Sequence, residues 1–202
     1  MEKYFKVIEE LKQKNIVSKH EIFDYSFSPL QPIYNNYFEY CQEYLDNHCN
    51  KYSIQPARIY FCNHFEVNAK AFRRENFSVI GINMGTIQST YNLFYDKNDM
   101  YENEPVFLEL YGELRKFINI PMGYFMFQLS TLFTFHHELA HLVQLSPESE
   151  KEFVEKYQYE EYKIFDFENH VLEYDSDIHG ANAVYSQVLG HFNRLEVQCS
   201  GG

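Results

Sequence analysis

The sequence predicts a mainly helical α+β protein with a small antiparallel sheet. Apolar residues recur at helical spacing through most of the chain, whereas three short β-prone segments are confined to residues 58–83. The length of 202 residues suits one domain with a sizeable core. We therefore expect a single domain across 1–202, with a helical N-terminal part at 1–55 and the main core at 58–192.

Two helices are predicted in the N-terminal part. Residues 2–14 show helical spacing of apolar side chains, which are Tyr4, Phe5, Ile8 and Leu11. After a break at Ser28–Pro32, Pro32 starts a second helix that ends near Asn50. Its apolar stripe consists of Ile33, Tyr37, Cys41, Tyr44 and Leu45. Both stripes are typical of helices that pack against a core.

Three strands come next, at Ile59–Cys62, Val67–Phe72 and Phe77–Asn83, where β-branched and aromatic residues are frequent. The connections are only a few residues long, so we expect strands that are neighbours in sequence to pair antiparallel. Either Val67–Phe72 or Val79–Asn83 would then be an exposed edge of the sheet.

The remaining chain is predicted as helices separated by polar loops. Two long helices are expected to carry the chemistry: one at about 123–145, between Pro121 and the stop at Ser146-Pro147, and one at about 166–191. The other predicted segments are a helix at 86–95, an acidic loop at 96–104, a helix at 105–117 and a charged surface helix at 148–162.

The acidic composition limits the possible partners. A formal charge of −12 and a pI of about 5.2 argue against nucleic acid or anionic lipid, because either would need a basic face. The longest apolar run, Met122–Phe135, is too short to span a bilayer and contains Gln128, so no membrane span is expected. The expected partner is a protein or peptide substrate, which follows from the motifs described below.

Two further features favour a cytoplasmic location. The amino terminus alternates charged and apolar residues, unlike a signal peptide. The cysteines lack C-x-x-C spacing, which favours reduced thiols; they are Cys41, Cys49, Cys62 and Cys199.

The helix at 123–145 contains the pattern H-E-x-x-H. On a helix, His137 and His141 lie on one face about one turn apart, where both imidazoles can reach a single metal ion. Glu138 points in another direction, where it can take a proton from a water molecule at the metal. The flanking residues are almost all uncharged, so the helix is mostly buried. Polar groups in such a helix are costly unless a cation compensates.

Two histidines leave a zinc ion at least one protein ligand short. Glu173 and Asp177 are four apart on one face of the last helix, so we expect Glu173 as third ligand and Asp177 as acceptor for the free N–H of one ligating imidazole. The alternative is a solvated acidic face. His170 competes with Glu173, and Asp175 competes more weakly.

Several other residues have open roles. His136 and His179 could be structural or could belong to the site, and the structural role is more common for a lone histidine. Stabilisation of an oxyanion would need a donor, and the candidates are Tyr174, His170, His179 and Tyr124.

These residues resemble the gluzincin metallopeptidases, in which H-E-x-x-H on one helix is joined by a glutamate from a following helix. Asn68–Ala71 and Ile80–Ile87 resemble the N-A-x-A motif and the strand-to-helix glycine of the family of CAAX prenyl endopeptidases and heat-shock membrane peptidases. Glu173–Asp177 is similar to that family's E-x-x-A-D, with Ser176 in place of alanine.

The same elements resemble the small ImmA/IrrE-type peptidases, and the metal helix is similar to that of phage-exclusion peptidases that cleave a translation factor. Two departures favour a compact relative without membrane helices: no span is present, and the interval from His141 to Glu173 is short for the membrane family.

The resemblance implies a zincin-like fold over about 58–185. It also implies a zinc endopeptidase with one Zn²⁺ held by His137, His141 and Glu173 and with Glu138 as the base. The alternative is a regulatory or protein-binding module on the same scaffold with a non-catalytic metal site.

Overall fold

The computed structural model describes residues 1–114, 120–146 and 167–200. Its elements form a mostly helical α+β fold with one three-stranded sheet, which confirms the predicted class. The predicted surface helix at 148–162 lies outside the described residues.

Helices α1 (Glu2–Gln13) and α2 (Gln31–His48) pack against the first strand. Phe5, which we expected in the apolar stripe of α1, is 38% exposed, and Val7 is buried in its place. At about 100° per residue, Tyr4, Ile8 and Leu11 lie close together on the buried face, Val7 lies at one border of it, and Phe5 lies beyond the other border. The two helices enclose an aromatic cluster formed by Tyr4, Tyr25, Tyr34, Phe38 and Phe61.

The sheet is mixed, with strand order β1-β3-β2, where β1 is Ala57–Cys62, β2 is Ala69–Arg74 and β3 is Phe77–Asn83. β2 and β3 form an antiparallel hairpin, but β1 pairs parallel to β3 instead of antiparallel to β2. The prediction of a wholly antiparallel sheet with sequential pairing is therefore wrong. β3 is buried along its whole length and takes the centre, whereas Lys70 and Arg73 suit an edge strand.

The two outer strands differ in how their free sides are covered. Along β1, Phe23 N donates to Phe61 O at 2.8 Å and Asn63 N donates to Glu21 O at 2.8 Å. In the described part of the chain, β2 pairs with β3 alone. The Val79–Asn83 segment is central, so the alternative that it forms the exposed edge is wrong, and β2 is that edge.

Three short helices connect the sheet to the later helices. They are α3 (Met84–Thr90), continued by a π-helical turn at Tyr91–Tyr95, then α4 (Asn98–Asn103) and α5 (Pro105–Leu114). The prediction of a loop at 96–104 is wrong, because α4 occupies most of it. Tyr101 is buried against Phe94 and Phe107. These ring contacts hold the acidic segment against its neighbouring helices.

Helices α6 (Met122–Gln144) and α7 (Phe167–Ser200) position the candidate site. α6 packs across β2 and β3 on one side and against α7 on the other. Gly180 allows the two helices to approach closely, since a Cβ there would lie 3.1 Å from the Phe133 ring. Over the residues that the structure describes, no helix combines the length and apolar character needed to cross a membrane.

Candidate metal centre

α6 carries three of the candidate functional side chains. His137 and His141 are one turn apart on the same face, and their Nε2 atoms are 3.0 Å from each other. Glu138 lies beside them and is only 7% exposed. The helix therefore presents two imidazole nitrogens and one buried carboxyl to the same region.

α7 brings Glu173 to the two imidazoles. Its Oε2 atom lies 3.3 Å from His137 Nε2 and 3.5 Å from His141 Nε2. These three residues offer ligand atoms that all lie within 4.8 Å of one another, so together they could hold a metal ion. Glu173 belongs to this cluster although it comes from a separate helix, far along the chain from His141.

The other nitrogen of each imidazole has an oxygen acceptor. His137 Nδ1 lies 3.0 Å from Asp177 Oδ1, and His141 Nδ1 lies 2.9 Å from Gln144 Oε1. A carboxylate and an amide oxygen are acceptors only, so each Nδ1 carries the hydrogen. A neutral imidazole protonated on Nδ1 has its lone pair on Nε2, and here the Nε2 atom of each ring lies close to Glu173 and to the other ring.

Three acceptor atoms thus converge on one point. A single proton could link only two of them, whereas a cation held between them satisfies the lone pairs of all three. His137, His141 and Glu173 could therefore hold a metal ion between them.

Glu138 lies in an electrostatically unusual position. Burial raises its pKa to about 7, the nearby His141 opposes the rise, and the Glu173 carboxylate adds to it. A cation at the three ligands would lower the same pKa, because it favours the ionised carboxylate.

His136 lies in the helix interface and is fully buried. Its Nε2 accepts a hydrogen bond from Gln187 Nε2 of α7 at 2.8 Å, and the ring contacts Tyr44 edge-on. Burial lowers its pKa to about 4, and His179 and His48 contribute to the lowering. The structure therefore places His136 as a neutral packing residue between α2, α6 and α7.

A cleft of about 400 Å³ opens over the candidate ligands. One wall consists of the first residues of the edge strand and its approach, Asn68–Ala71, and the other consists of α6 and α7 residues. His137, Glu138, His141 and Glu173 all line it. The candidate site is therefore accessible from solvent alongside β2.

The other candidate residues lie elsewhere. Tyr174 is 67% exposed and does not line the cleft, and neither do His170 or His179. His179 lies near His136, and Tyr124 packs against Tyr95 and Phe127 at the far end of α6. Asn68 and Lys70, which the sequence indicated only as part of a strand motif, do line the cleft, and Lys70 Nζ lies 3.4 Å from Glu21 Oε1.

The hydrogen-bonding partners of His141 were not predicted from the sequence. Gln144 and Ser176 both reach His141 Nδ1, at 2.9 and 3.3 Å respectively. The spacing of Gln144, three residues after His141, was a usable signal, because residues three apart on a helix are neighbours. Ser176 was noted only as the residue in place of the alanine of the E-x-x-A-D motif, and no role was predicted for it.

No protein-family model, curated protein or solved structure matches the chain.

Proposed function

We propose that the protein is a zinc-dependent peptidase that holds one zinc ion through His137, His141 and Glu173 and uses Glu138 as its general base. The observation that carries the proposal is the convergence of three acceptor atoms beside a buried carboxyl at the floor of an open cleft. The motif-level resemblance to gluzincins and to ImmA/IrrE-type peptidases agrees with this assignment.

The donor set supports zinc as the ion. Two imidazole nitrogens and one carboxylate oxygen form a ligand set of catalytic zinc sites, which leave a fourth position open. Tetrahedral zinc with bonds of about 2.0–2.1 Å requires ligand atoms about 3.3 Å apart. The separations of 3.0, 3.3 and 3.5 Å are close to that requirement.

The protein's own residues would each take a distinct part in the chemistry. When bound, zinc supplies Lewis acidity toward a water molecule and the scissile carbonyl. Glu138 accepts a proton from the attacking water and delivers it to the leaving amine as the C–N bond breaks. Asp177 and Gln144 hold the Nδ1–H groups of the two imidazoles, which keeps both Nε2 lone pairs available.

The edge strand supports a peptide substrate. β2 is paired on one side only in the described structure, and its first residues form a wall of the cleft. An extended peptide could add to this edge through backbone hydrogen bonds, which would lay its scissile bond beside Glu138.

An apolar groove of about 630 Å³ adjoins the cleft and favours a bulky apolar side chain in that peptide. Val67, which lines the groove, immediately precedes Asn68 of the cleft wall. Thr86 Oγ1 holds this segment by donating to Asn68 O at 2.7 Å and accepting from Asn68 N at 2.9 Å. The apolar and aromatic side chains in the groove are Val67, Leu129, Phe133, Ala181, Val184 and Tyr185.

A purely structural metal site in a binding module is the competing function. Burying Glu138 beside the ligands would serve no purpose there, because a closed structural site has no water to activate. The position of Glu138 therefore favours the enzyme.

The decisive experiment measures metal content and proteolysis on the same preparations. Wild type should contain one zinc per chain and cleave unfolded proteins in a mixed panel, with both properties lost after chelation. Glu138→Gln should keep the zinc and lose about two to four orders of magnitude in rate, because the amide cannot accept a proton.

The matched control is Glu43→Gln, an exposed carboxyl on α2 outside the cleft, which should behave like wild type. Zinc binding without cleavage of any panel member would favour the binding module. Equal rates for wild type and Glu138→Gln would show that another residue is the base.

A further inference from the structure

Gln144 joins the two helices that build the metal centre. It is the last residue of α6, one turn after His141, and its side chain makes contacts at both ends of the amide. Oε1 lies 2.9 Å from His141 Nδ1. Nε2 lies 3.2 Å from three acceptors of α7, which are Leu172 O, Asp175 Oδ2 and Ser176 Oγ.

The chemistry of His141 fixes the orientation of this amide. If His141 binds a metal through Nε2, its Nδ1 must carry the hydrogen, and only Oε1 of the amide can accept it. The NH₂ group is then directed at α7, where Leu172 O and Asp175 Oδ2 are acceptors. Gln144 thus accepts from Nδ1–H of His141 and donates to the carbonyl of Leu172, the residue directly before Glu173. One side chain therefore contacts one proposed ligand and the residue next to another.

We propose that Gln144 is a positioning residue that sets the tautomer of His141 and the placement of Glu173 together. The inference rests on the metal ion of the proposed function and is independent of peptide hydrolysis. Losing either the hydrogen bond to His141 or the hydrogen bonds to α7 should weaken metal binding. A residue that only packs the two helices together would not affect the imidazole of His141.

Two substitutions separate the hydrogen bond to His141 from the hydrogen bonds to α7. Gln144→Met keeps the length of the side chain but removes both the acceptor and the donor. Gln144→Glu keeps an acceptor for His141 Nδ1–H, removes the donor to Leu172 O and sets a second carboxylate beside Asp175. Gln128→Met is the matched control, since Gln128 is half-buried on the same helix, well before His137.

The first measurement is zinc affinity by competition with a chelator. Gln144→Met should bind zinc about 10–100-fold more weakly, the range typical when a hydrogen-bonding partner of a metal ligand is lost. Gln128→Met should match wild type. Zinc affinity of Gln144→Met equal to that of wild type would overturn the proposal.

The second measurement is the imidazole N–H region of the proton NMR spectrum of the zinc-loaded protein, with ¹⁵N-labelled histidine. Because Ser176 Oγ also lies 3.3 Å from His141 Nδ1, the spectra are compared in a Ser176→Ala background. In that background the Nδ1–H signal of His141 should be present with Gln144 or Gln144→Glu and should be lost by exchange with water in Gln144→Met. Its persistence in Gln144→Met would overturn the role in holding the tautomer.

A double variant tests the hydrogen bonds between residue 144 and α7. Adding Asp175→Asn to Gln144→Glu reverses the polarity of the contact, because the new amide can donate to the new carboxylate. The double variant should recover zinc affinity relative to Gln144→Glu, and no recovery would overturn the link to α7. A wild type that binds no zinc would instead refute the metal centre, so the two failures are distinguishable.

Discussion

The two helices that form the candidate metal centre hold their side chains in different ways. α6 lies between the sheet and α7, and the residues around its histidines, such as Phe135 and Leu139, are buried. α7 packs mainly on α6, and the side chains of Glu173 and Asp177 are 60% and 59% exposed. The core therefore positions the histidines, whereas the carboxylates depend on hydrogen bonds and on the proposed metal ion.

This difference separates two kinds of mutational effect. Substitutions on the inner face of α6 should destabilise the fold, because they remove buried apolar contacts. Substitutions of the exposed α7 residues should leave the fold intact and change metal affinity, because their contacts lie within the site.

The largest expected effect is on the free energy of unfolding, for a substitution in α6. Phe135→Ala removes a fully buried ring and should lower the free energy of unfolding by about 3–5 kcal/mol. Tyr174→Ala on α7 removes an exposed ring and should change it by less than about 0.5 kcal/mol. Urea titration of the two variants measures both values. Similar losses for both would contradict the proposed contrast between the helices.

The next effect is on zinc affinity and concerns Glu173, the proposed third ligand. Glu173→Ala should weaken zinc binding by more than the roughly 10–100-fold expected for an outer hydrogen-bonding partner, because it removes a ligand atom. Its unfolding midpoint in chelator should match that of wild type. Glu43→Ala is the control for loss of one exposed carboxylate. If Glu173→Ala retained wild-type affinity, a different group would be the third ligand.

A smaller effect is expected for Asp177, whose Oδ1 lies 3.0 Å from His137 Nδ1. Asp177→Ala should weaken zinc binding or activity about 10–100-fold, and Asp177→Asn should lose less because its amide oxygen still accepts the N–H. Chelator competition measures the affinities. Asp175→Ala is not a neutral control, because Asp175 accepts from Gln144. Wild-type affinity in Asp177→Ala would make Asp177 a surface carboxylate.

The smallest effect is expected at the apolar groove. Val67 is 66% exposed, and Val67→Ala removes two methyl groups from the groove wall. At about 0.8 kcal/mol for each buried group, and with partial coverage by substrate, kcat/KM should fall about three- to tenfold. The loss should occur for peptides with a bulky apolar residue and not for the same peptides with alanine there. An equal loss for both would place the groove outside the substrate path.

The sequence alone predicted the features that depend on local spacing. The four-residue interval between His137 and His141 placed both rings on one helical face, and the interval between Glu173 and Asp177 did the same on α7. Pro121 before the helix and Ser146-Pro147 after it bounded α6 to within one residue at each end. These properties arise from a repeat of about 3.6 residues per turn, so they need no knowledge of the rest of the fold.

The tertiary structure decided which of these faces meet. It paired β1 parallel to β3, which made β2 the edge beside the cleft, because the most apolar strand gains most from the central position. It also brought the Gln144 amide to the backbone of α7, and it buried Glu138 while leaving Glu173 exposed. Such contacts join residues far apart in the chain, and their formation depends on how whole elements pack, which local periodicity does not specify.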